Sequence, residues 1–334
     1  MAGDDLVVDH LSVVFRSRTG THAAVRDASF RVGAGRMVGL VGESGSGKTA
    51  TGLALLGLHD PAATTIGGGA RFGDTDLLNL SPAAADRLRG SLVGMIFQDP
   101  MTALNPLLTI GTQVTETIRV HEGLDRRSAR DKAIDVLARV GMPDPAGRYR
   151  RYPHELSGGL RQRAMIAAAI ACRPRLLVAD EPTTALDLTI QAQILRLLRT
   201  LCDDEGMSVL LITHDLGAVG AVCDDVVTMY AGEVVEIGPT AGVLDRPSHP
   251  YTSRLMAARP RVDGWGEQLD VIPGRVPPPS ASPEGCLFRP RCREAREECA
   301  GPQELVALGP DRSVRCVRAS DPRDSVVVAG AGVR

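Results

Sequence analysis

Lysine is nearly absent from this chain: of 38 basic residues only Lys48 and Lys132 are lysine, and the rest are arginine. An excess of charge is absent too. Thirty-eight basic against 40 acidic residues leave a formal charge of −2, so no chain-wide field draws nucleic acid or an anionic membrane face, and phosphate recognition has to be local. Long apolar runs are missing: stretches such as residues 164–172 fall well short of the roughly 18 residues needed to cross a bilayer. The opening MAGDDLVVDH is acidic and lacks the basic, apolar and small-residue order of a secretion signal. A soluble, cytosolic chain is expected, whose membrane path, if it serves transport, belongs to other subunits. The seven cysteines are an odd total without an export signal, which argues against a disulfide framework and for metal binding or buried thiols. No internal repeat stands out, and the 334 residues suggest one large core with an appendage.

What is there is an alternation of short apolar runs and amphipathic stretches. Residues 6–15 and 24–32 read as strands, and MVGLV at 37–41 reads as a buried strand ending in a glycine-rich turn, followed by an apolar helix over 49–58. Between 98 and 153 the texture turns helical, with charged outer faces at 110–120 and 128–140. The α/β pattern resumes with a helix at 157–172, a strand at 176–179, a helix at 190–202 and a strand at 209–213, which implies a largely parallel sheet. Past Pro239 the chain becomes proline-rich and reads as a linker or extended arm, and residues 319–334 as a frayed tail.

Gly42, Glu43, Ser44, Gly45, Ser46, Gly47, Lys48 and Thr49 match G-x-x-x-x-G-K-[ST] between that strand and that helix. Glycines let backbone N–H groups converge on phosphate oxygens, and a helix N-terminus adds positive potential. Lys48 can then reach the β/γ-phosphates, and Thr49 can ligate Mg²⁺. One of the two lysines therefore stands where phosphate chemistry needs it. Asp180 and Glu181 end a buried strand at the carboxyl edge of the sheet, where ligands of such folds bind. Asp180 suits a magnesium shell and Glu181 the orientation of an attacking water. Alone, such a pair is more often a solvated strand end; behind a phosphate loop it is a candidate site.

Leu156-Ser157-Gly158-Gly159-Leu160-Arg161-Gln162, upstream of Glu181, resembles the signature motif of ABC ATPases. The resemblance implies that Ser157, Gly158, Gly159 and Gln162, with Asp187 of Ala185-Leu186-Asp187, meet ATP held by an opposite subunit. Leu160 stands where Met or Gln is frequent. By the same resemblance Gln98 is the glutamine that touches Mg²⁺ or water and links nucleotide state to a membrane subunit, His214 is the switch histidine supporting Glu181, and Phe15, with Val25, forms the adenine pocket. Singly these are weak, since a histidine at a strand end is usually structural and Phe15 can also be read as a core phenylalanine on an edge strand. The implied fold is α/β: a P-loop ABC nucleotide-binding domain over 1–240, with a mixed sheet core, an antiparallel β edge and a helical subdomain at about 98–160. A small cysteine-containing extension follows over 241–318.

The wording GLVGESGSGKT, IFQDPMTALNP, HELSGGLRQR and ADEPTTALD, with SHPYTSRLMAARP and IPGRVPPPSASPEGC behind it, is similar to the oligopeptide/dipeptide importer subfamily over nearly the whole chain. The resemblance implies an ATPase powering peptide import, or import of nickel, glutathione or another small solute. It also implies a second ATPase, two transmembrane permeases, an extracytoplasmic solute-binding protein, and a peripheral place at the cytoplasmic face of the membrane. A soluble ABC ATPase of translation, repair or cofactor assembly is the rival; two cassettes in one chain or a coiled-coil insertion would mark it, and neither is present. Cys286, Cys292, Cys299 and Cys316 are spaced C-x5-C-x6-C-x16-C, which fits neither the C-x2-C zinc pairing nor the ferredoxin spacing. Spacing leaves a [4Fe–4S] cluster, Zn²⁺ and unligated thiols open; the resemblance favours the cluster. Cys172, Cys202 and Cys223 read as buried thiols, and Arg148, Arg150 and Arg151 as a solvated face.

Overall fold

The computed structural model describes residues 4–18, 20–184, 186–258, 272–277 and 283–320. Strands β1 (Leu6–Ser17) and β2 (Gly20–Val32) pair antiparallel, from Leu6 opposite Val32 to Ser17 opposite Gly20. Leu6, Val8, Leu11 and Val13 of β1 turn inward, the alternation of a strand with one buried face. Strand β3 (Met37–Val41) is buried at every position and runs through the glycine loop into helix α1 (Lys48–Leu55). Strands β4 (Thr64–Phe72) and β5 (Thr75–Asp76) widen the antiparallel edge. Helix α2 (Pro82–Leu88), capped by the Ser81 hydroxyl, leads to β6 (Val93–Ile96).

A helical insertion follows: α3 (Pro100–Ala103), α4 (Ile110–Glu122), α5 (Arg126–Arg139), α6 (Pro145–Arg148) and α7 (Gly158–Ile170). Thr109 caps α4 and Asp125 caps α5 with side-chain oxygens on free N–H groups, where such residues stabilise a helix start. Val114, Ile118, Ala133, Val136 and Leu137 face Ala164, Ile166 and Ile170 of α7 in one buried cluster.

The α/β frame then returns with β7 (Leu176–Asp180), α8 (Leu188–Glu205), β8 (Ser208–Thr213), α9 (Leu216–Val222), β9 (Asp225–Tyr230) and β10 (Glu233–Pro239). Helices α10 (Thr240–Asp245) and α11 (Pro250–Ala257) and the short strands β11 (Val306–Gly309) and β12 (Arg312–Val314) complete it. The sheet runs β5-β4-β1-β2-β10-β9-β3-β8-β7-β6, with β12 paired to β10 and β11 to β12. Neighbours among β6, β7, β8, β3 and β9 are parallel, so both faces are covered and the strands are mostly apolar, with polar residues mainly at their ends. Leu177, Ala179, Val209 and Leu211 face the helical insertion, while Val178, Leu210 and Ile212 face the antiparallel edge.

The helix expected over 49–58 ends at Leu55 and the one at 190–202 extends to Leu188–Glu205. The larger difference lies past Pro239. Instead of a loose arm, α10, α11 and the described part of 272–320 pack on the sheet, and β12 pairs antiparallel with β10, Glu236 opposite Val314. Two things hold this apolar-poor segment. Tyr230, Val235, Tyr251, Ile272, Leu287 and Phe288 form a buried cluster. Three arginines also reach carboxylates across the chain: Arg291 to Glu43, Arg312 to the fully buried Glu236, and Arg315 to Asp27. Glu236 additionally accepts the N–H groups of Ser248 and His249, at 2.8 and 3.0 Å. The tail expected over 319–334 lies, beyond 320, outside the described residues, as does Ala185. Among the described residues no helix is long and apolar enough to cross a membrane.

Candidate functional site

The phosphate loop is shaped by glycines that no other residue could replace without movement. Gly42 has φ 155° and a Cβ there would lie 2.2 Å from the Met229 carbonyl oxygen. Gly47 has φ 103°, and a Cβ would lie 2.5 Å from that of Ala24. Helix α1 starts at Gly47 with no side-chain cap, so its first N–H groups are available to an anion. Ser44 and Gly45 are exposed at the tip, whereas Ser46 is buried. Lys48 is buried beneath the loop; its Nζ donates to the carbonyls of Gly42 and Glu43, at 2.8 and 3.0 Å, and to Ser46 Oγ at 3.4 Å. Burial lowers its pKa, against the opposing charges of Glu181, Asp180 and Glu43.

Strand β7 delivers Asp180 and Glu181 beside this loop. Thr49 Oγ1 donates to Asp180 Oδ1 at 3.2 Å. Burial, with the Glu181 charge adding to it and the Thr49 hydroxyl opposing, pushes the Asp180 carboxyl up to about 6. A buried carboxylate facing a hydroxyl, short of compensating positive charge, is a hard-oxygen pair that fits Mg²⁺. Glu181 differs. Burial would raise it, but hydrogen bonds from His214 and Thr184, with the charges of His214 and Lys48, hold it below the usual glutamate range. His214 Nδ1 lies 3.1 Å from Oε1, and Thr184 Oγ1 and Gln98 Nε2 donate to Oε2 at 2.9 and 3.3 Å. Glu181 also has φ 44°, a left-handed conformation costing about 1–3 kcal/mol in a non-glycine residue. Its N–H is fixed to the Ile212 carbonyl at 2.8 Å.

The Asp180 carboxyl makes a stability prediction. An acid whose folded pKa lies above its unfolded value is protonated first in the native state, so stability falls as pH rises from about 4 to about 6. Asp180→Asn is therefore expected to stabilise the protein free of nucleotide and magnesium by up to about 3 kcal/mol at pH 7.5. The gain should shrink towards pH 4; urea unfolding at both pH values checks it, and an equal gain at both contradicts it.

The remaining predicted residues are dispersed around this centre. Ser157 sits at the start of α7 with its hydroxyl free of any capping bond, and it and Gly158 are exposed. Gln162 is buried, its Nε2 without a partner, so it faces into the protein. Asp187 caps α8 by accepting the Ile190 N–H at 2.9 Å and is exposed beside Leu188, which is 83 % exposed. Phe15 is half-buried on β1, edge-on to His59 at 5.3 Å. Val25 is fully buried in the sheet core. Sequence reasoning missed Thr184, three residues after Glu181. It also missed Tyr251 and Arg291, both bonded to Glu43.

The metal centre expected at Cys286, Cys292, Cys299 and Cys316 is not borne out. Among the described residues no three His, Cys, Asp or Glu side chains are placed to hold a metal ion, so neither an iron–sulfur cluster nor zinc is assigned to them. Burial pushes Cys286 and Cys316 up to about 11 and raises Cys292 as well, so these thiols are protonated at neutral pH. The aromatic cluster and the arginine pairs order this segment without a metal crosslink. Cys172 and Cys202 are likewise raised to about 11 by burial, and Cys223 is raised too.

A family model described as ABC transporter matches residues 25–184, and one described as oligopeptide/dipeptide transporter, C-terminal region, matches residues 235–299. A Brucella melitensis protein bearing a peptide import ATP-binding name is 50% identical over 311 residues, 93% of this chain and 94% of that one. The dipeptide transport ATP-binding protein DppD of Escherichia coli is 47% identical over 312 residues, 93% of this chain and 95% of its own. Among solved structures, the dimeric form of MJ0796, a bacterial ABC transporter cassette, superposes with a TM-score of 0.63 at 24% identity, covering 70% of this chain and 98% of that chain.

Proposed function

This chain belongs to the ABC transporter ATP-binding family, in its oligopeptide/dipeptide branch, and from that premise we propose that it hydrolyses ATP to power import of di- or oligopeptides. The observation that carries the reading is the Glu181 carboxylate, held by Gln98, Thr184 and His214 beside the Lys48 loop and the Thr49–Asp180 pair. Phosphoryl transfer asks a protein mainly for positioning and charge stabilisation, and these groups supply both. Gly42 to Thr49 would cradle the ATP phosphates, with Lys48 released from the loop carbonyls to meet them. Thr49, Asp180 and Gln98 would hold Mg²⁺, which spreads charge from the β- and γ-phosphate oxygens. Glu181 orients and polarises the attacking water, whose oxygen bonds the γ-phosphorus as the bond to the β-bridging oxygen breaks, leaving ADP and inorganic phosphate. His214 keeps the Glu181 carboxylate in place. Phe15 offers a ring face for adenine, with Val25 packed below the loop.

Ser157, Gly158 and Gly159 are exposed or half-buried at a helix start with an unused hydroxyl, a second anion-binding terminus. In this reading they close over ATP bound to a facing cassette, a copy or a paralogue, with Asp187 at the same interface and Gln162 bracing α7 from within. Membership of the family implies association with transmembrane permeases. The finer arrangement proposed is two ATPases on two permeases at the cytoplasmic face, fed by an extracytoplasmic binding protein. The test is uptake into proteoliposomes holding the chain with its permeases, partner ATPase and binding protein. ATP-dependent entry of labelled di- or oligopeptides is expected; entry of nickel or glutathione in their place overturns the peptide assignment.

A further inference from the structure

Glu43 is the second residue of the phosphate loop, yet its N–H and carboxylate face the C-terminal extension. Its N–H donates to Tyr251 Oη at 2.8 Å, and its carboxylate accepts Nη1 and Nη2 of Arg291 at 2.7 and 3.0 Å. The Arg291 side chain is 6 % exposed, against 27 % for Glu43. Its other donors are also used: Nε bonds the Pro273 carbonyl at 2.9 Å and Nη1 lies 3.3 Å from Tyr230 Oη, while the guanidinium stacks 5.7 Å from the Tyr230 ring centre. Tyr251 is itself placed by the His249-Pro250-Tyr251 start of α11, where the buried His249 ring accepts the Tyr251 N–H at 3.0 Å. Burial holds that imidazole neutral, its pKa pushed down to about 3.

A two-toothed guanidinium–carboxylate contact fixes direction as well as distance, and a buried one resists being broken because a lone buried charge remains. The fixed element here is the peptide that also presents the Glu43 carbonyl to Lys48 Nζ at 3.0 Å. We infer that the C-terminal extension positions the phosphate loop: Arg291 and Tyr251 hold Glu43 from behind, and the folded extension thereby raises the affinity of the loop for ATP. The inference rests on the reading that this loop binds ATP. Coupling of this kind is reciprocal, so ATP must also stabilise the extension.

The experiment uses the full chain. Equilibrium ATP affinity, KM and kcat are measured for the unsubstituted protein, Arg291→Met, Glu43→Gln, Arg291→Lys, Tyr251→Phe and the Arg291→Met/Glu43→Gln double variant. Arg291→Met is expected to weaken ATP binding and raise KM by about 5- to 50-fold, with kcat at saturating ATP nearly unchanged and Arg291→Lys recovering part of the loss. The double variant should be no worse than Arg291→Met, because both changes cut the same contact. Hydrogen exchange in 283–320 should slow when ATP is saturating. Tyr251→Phe, which removes one oxygen and keeps the ring, serves if Arg291→Met does not fold, and weaker ATP binding by that variant supports the inference. Unchanged ATP affinity in folded Arg291→Met or Tyr251→Phe, or strictly additive losses in the double variant, overturns it. Failure of the unsubstituted chain to bind ATP would instead overturn the nucleotide-site reading.

Discussion

Glu181→Gln is expected to leave ATP binding intact and to cut hydrolysis by about 10²- to 10⁴-fold, the range of a positioned acid/base group. The substitution keeps the side-chain shape and the donors around it: Thr184 and Gln98 still meet an oxygen, and the left-handed backbone still bonds Ile212. What it removes is the charge that polarises water. It also removes the repulsion that helps push Asp180 up, so magnesium-dependent ATP binding should hold or tighten. The Glu181 pKa lies below the usual range, so in the unsubstituted protein the carboxylate stays ionised through neutral pH and loses its charge only as pH falls through that lowered value. ATP affinity and steady-state phosphate release, measured on the same preparation, check the prediction. Near-normal turnover would remove Glu181 from the reaction.

Phe288→Ala should have the largest effect on stability, about 3–5 kcal/mol, as for other buried phenylalanines. The ring is 1 % exposed and meets Tyr230 and Tyr251 with ring centres 5.2 and 5.3 Å apart. Those two tyrosines are also partners of Arg291 and Glu43. A cavity at Phe288 therefore frees the group of side chains that order the extension. Segment 283–320 has little other apolar core, so the loss should be concentrated there. Amide exchange in that segment is expected to accelerate by about 10²- to 10³-fold, while β3, β7 and β8 stay protected. Uniform acceleration across the parallel sheet would show that the extension is no separate cooperative unit.

The parallel core was legible because its signals are local. Residues 37–41 and 209–213 are unbroken apolar runs, the first ends in a glycine loop, and each is adjacent in sequence to the helix it feeds. The candidate centre was legible for the same reason: Lys48, Asp180, Glu181 and His214 each stand directly at a strand end or helix start. What escaped are contacts between distant segments. Three-residue β12 carries no periodicity, and its pairing with β10 depends on Glu236 being buried under Arg312. Arg291 is one arginine among many, and nothing local separates it from those on the surface. His249, Pro250 and Tyr251 carry no local signal of their role, which lies in the contact of Tyr251 with Glu43. The cysteine expectation failed by another route: it rested on the family resemblance and not on the spacing, and although Cys286, Cys292, Cys299 and Cys316 line one small cavity, no three of them are placed to hold a metal ion.

The pair that braces the loop joins residues 248 positions apart. A chain made from its N-terminus has the phosphate loop among its early products, but at about 5–20 residues per second roughly 12–50 s of synthesis separate Glu43 from Arg291. For most of that interval β3 also lacks its neighbours β8 and β9, and once they are made the loop still has nothing behind it until Arg291 emerges. A product ending between β9 and Arg291 would carry the whole phosphate loop and the strands beside it, but not the brace. If Arg291 braces the loop as inferred above, completeness of the chain and strength of the ATP grip are therefore linked by the order in which the two residues are made.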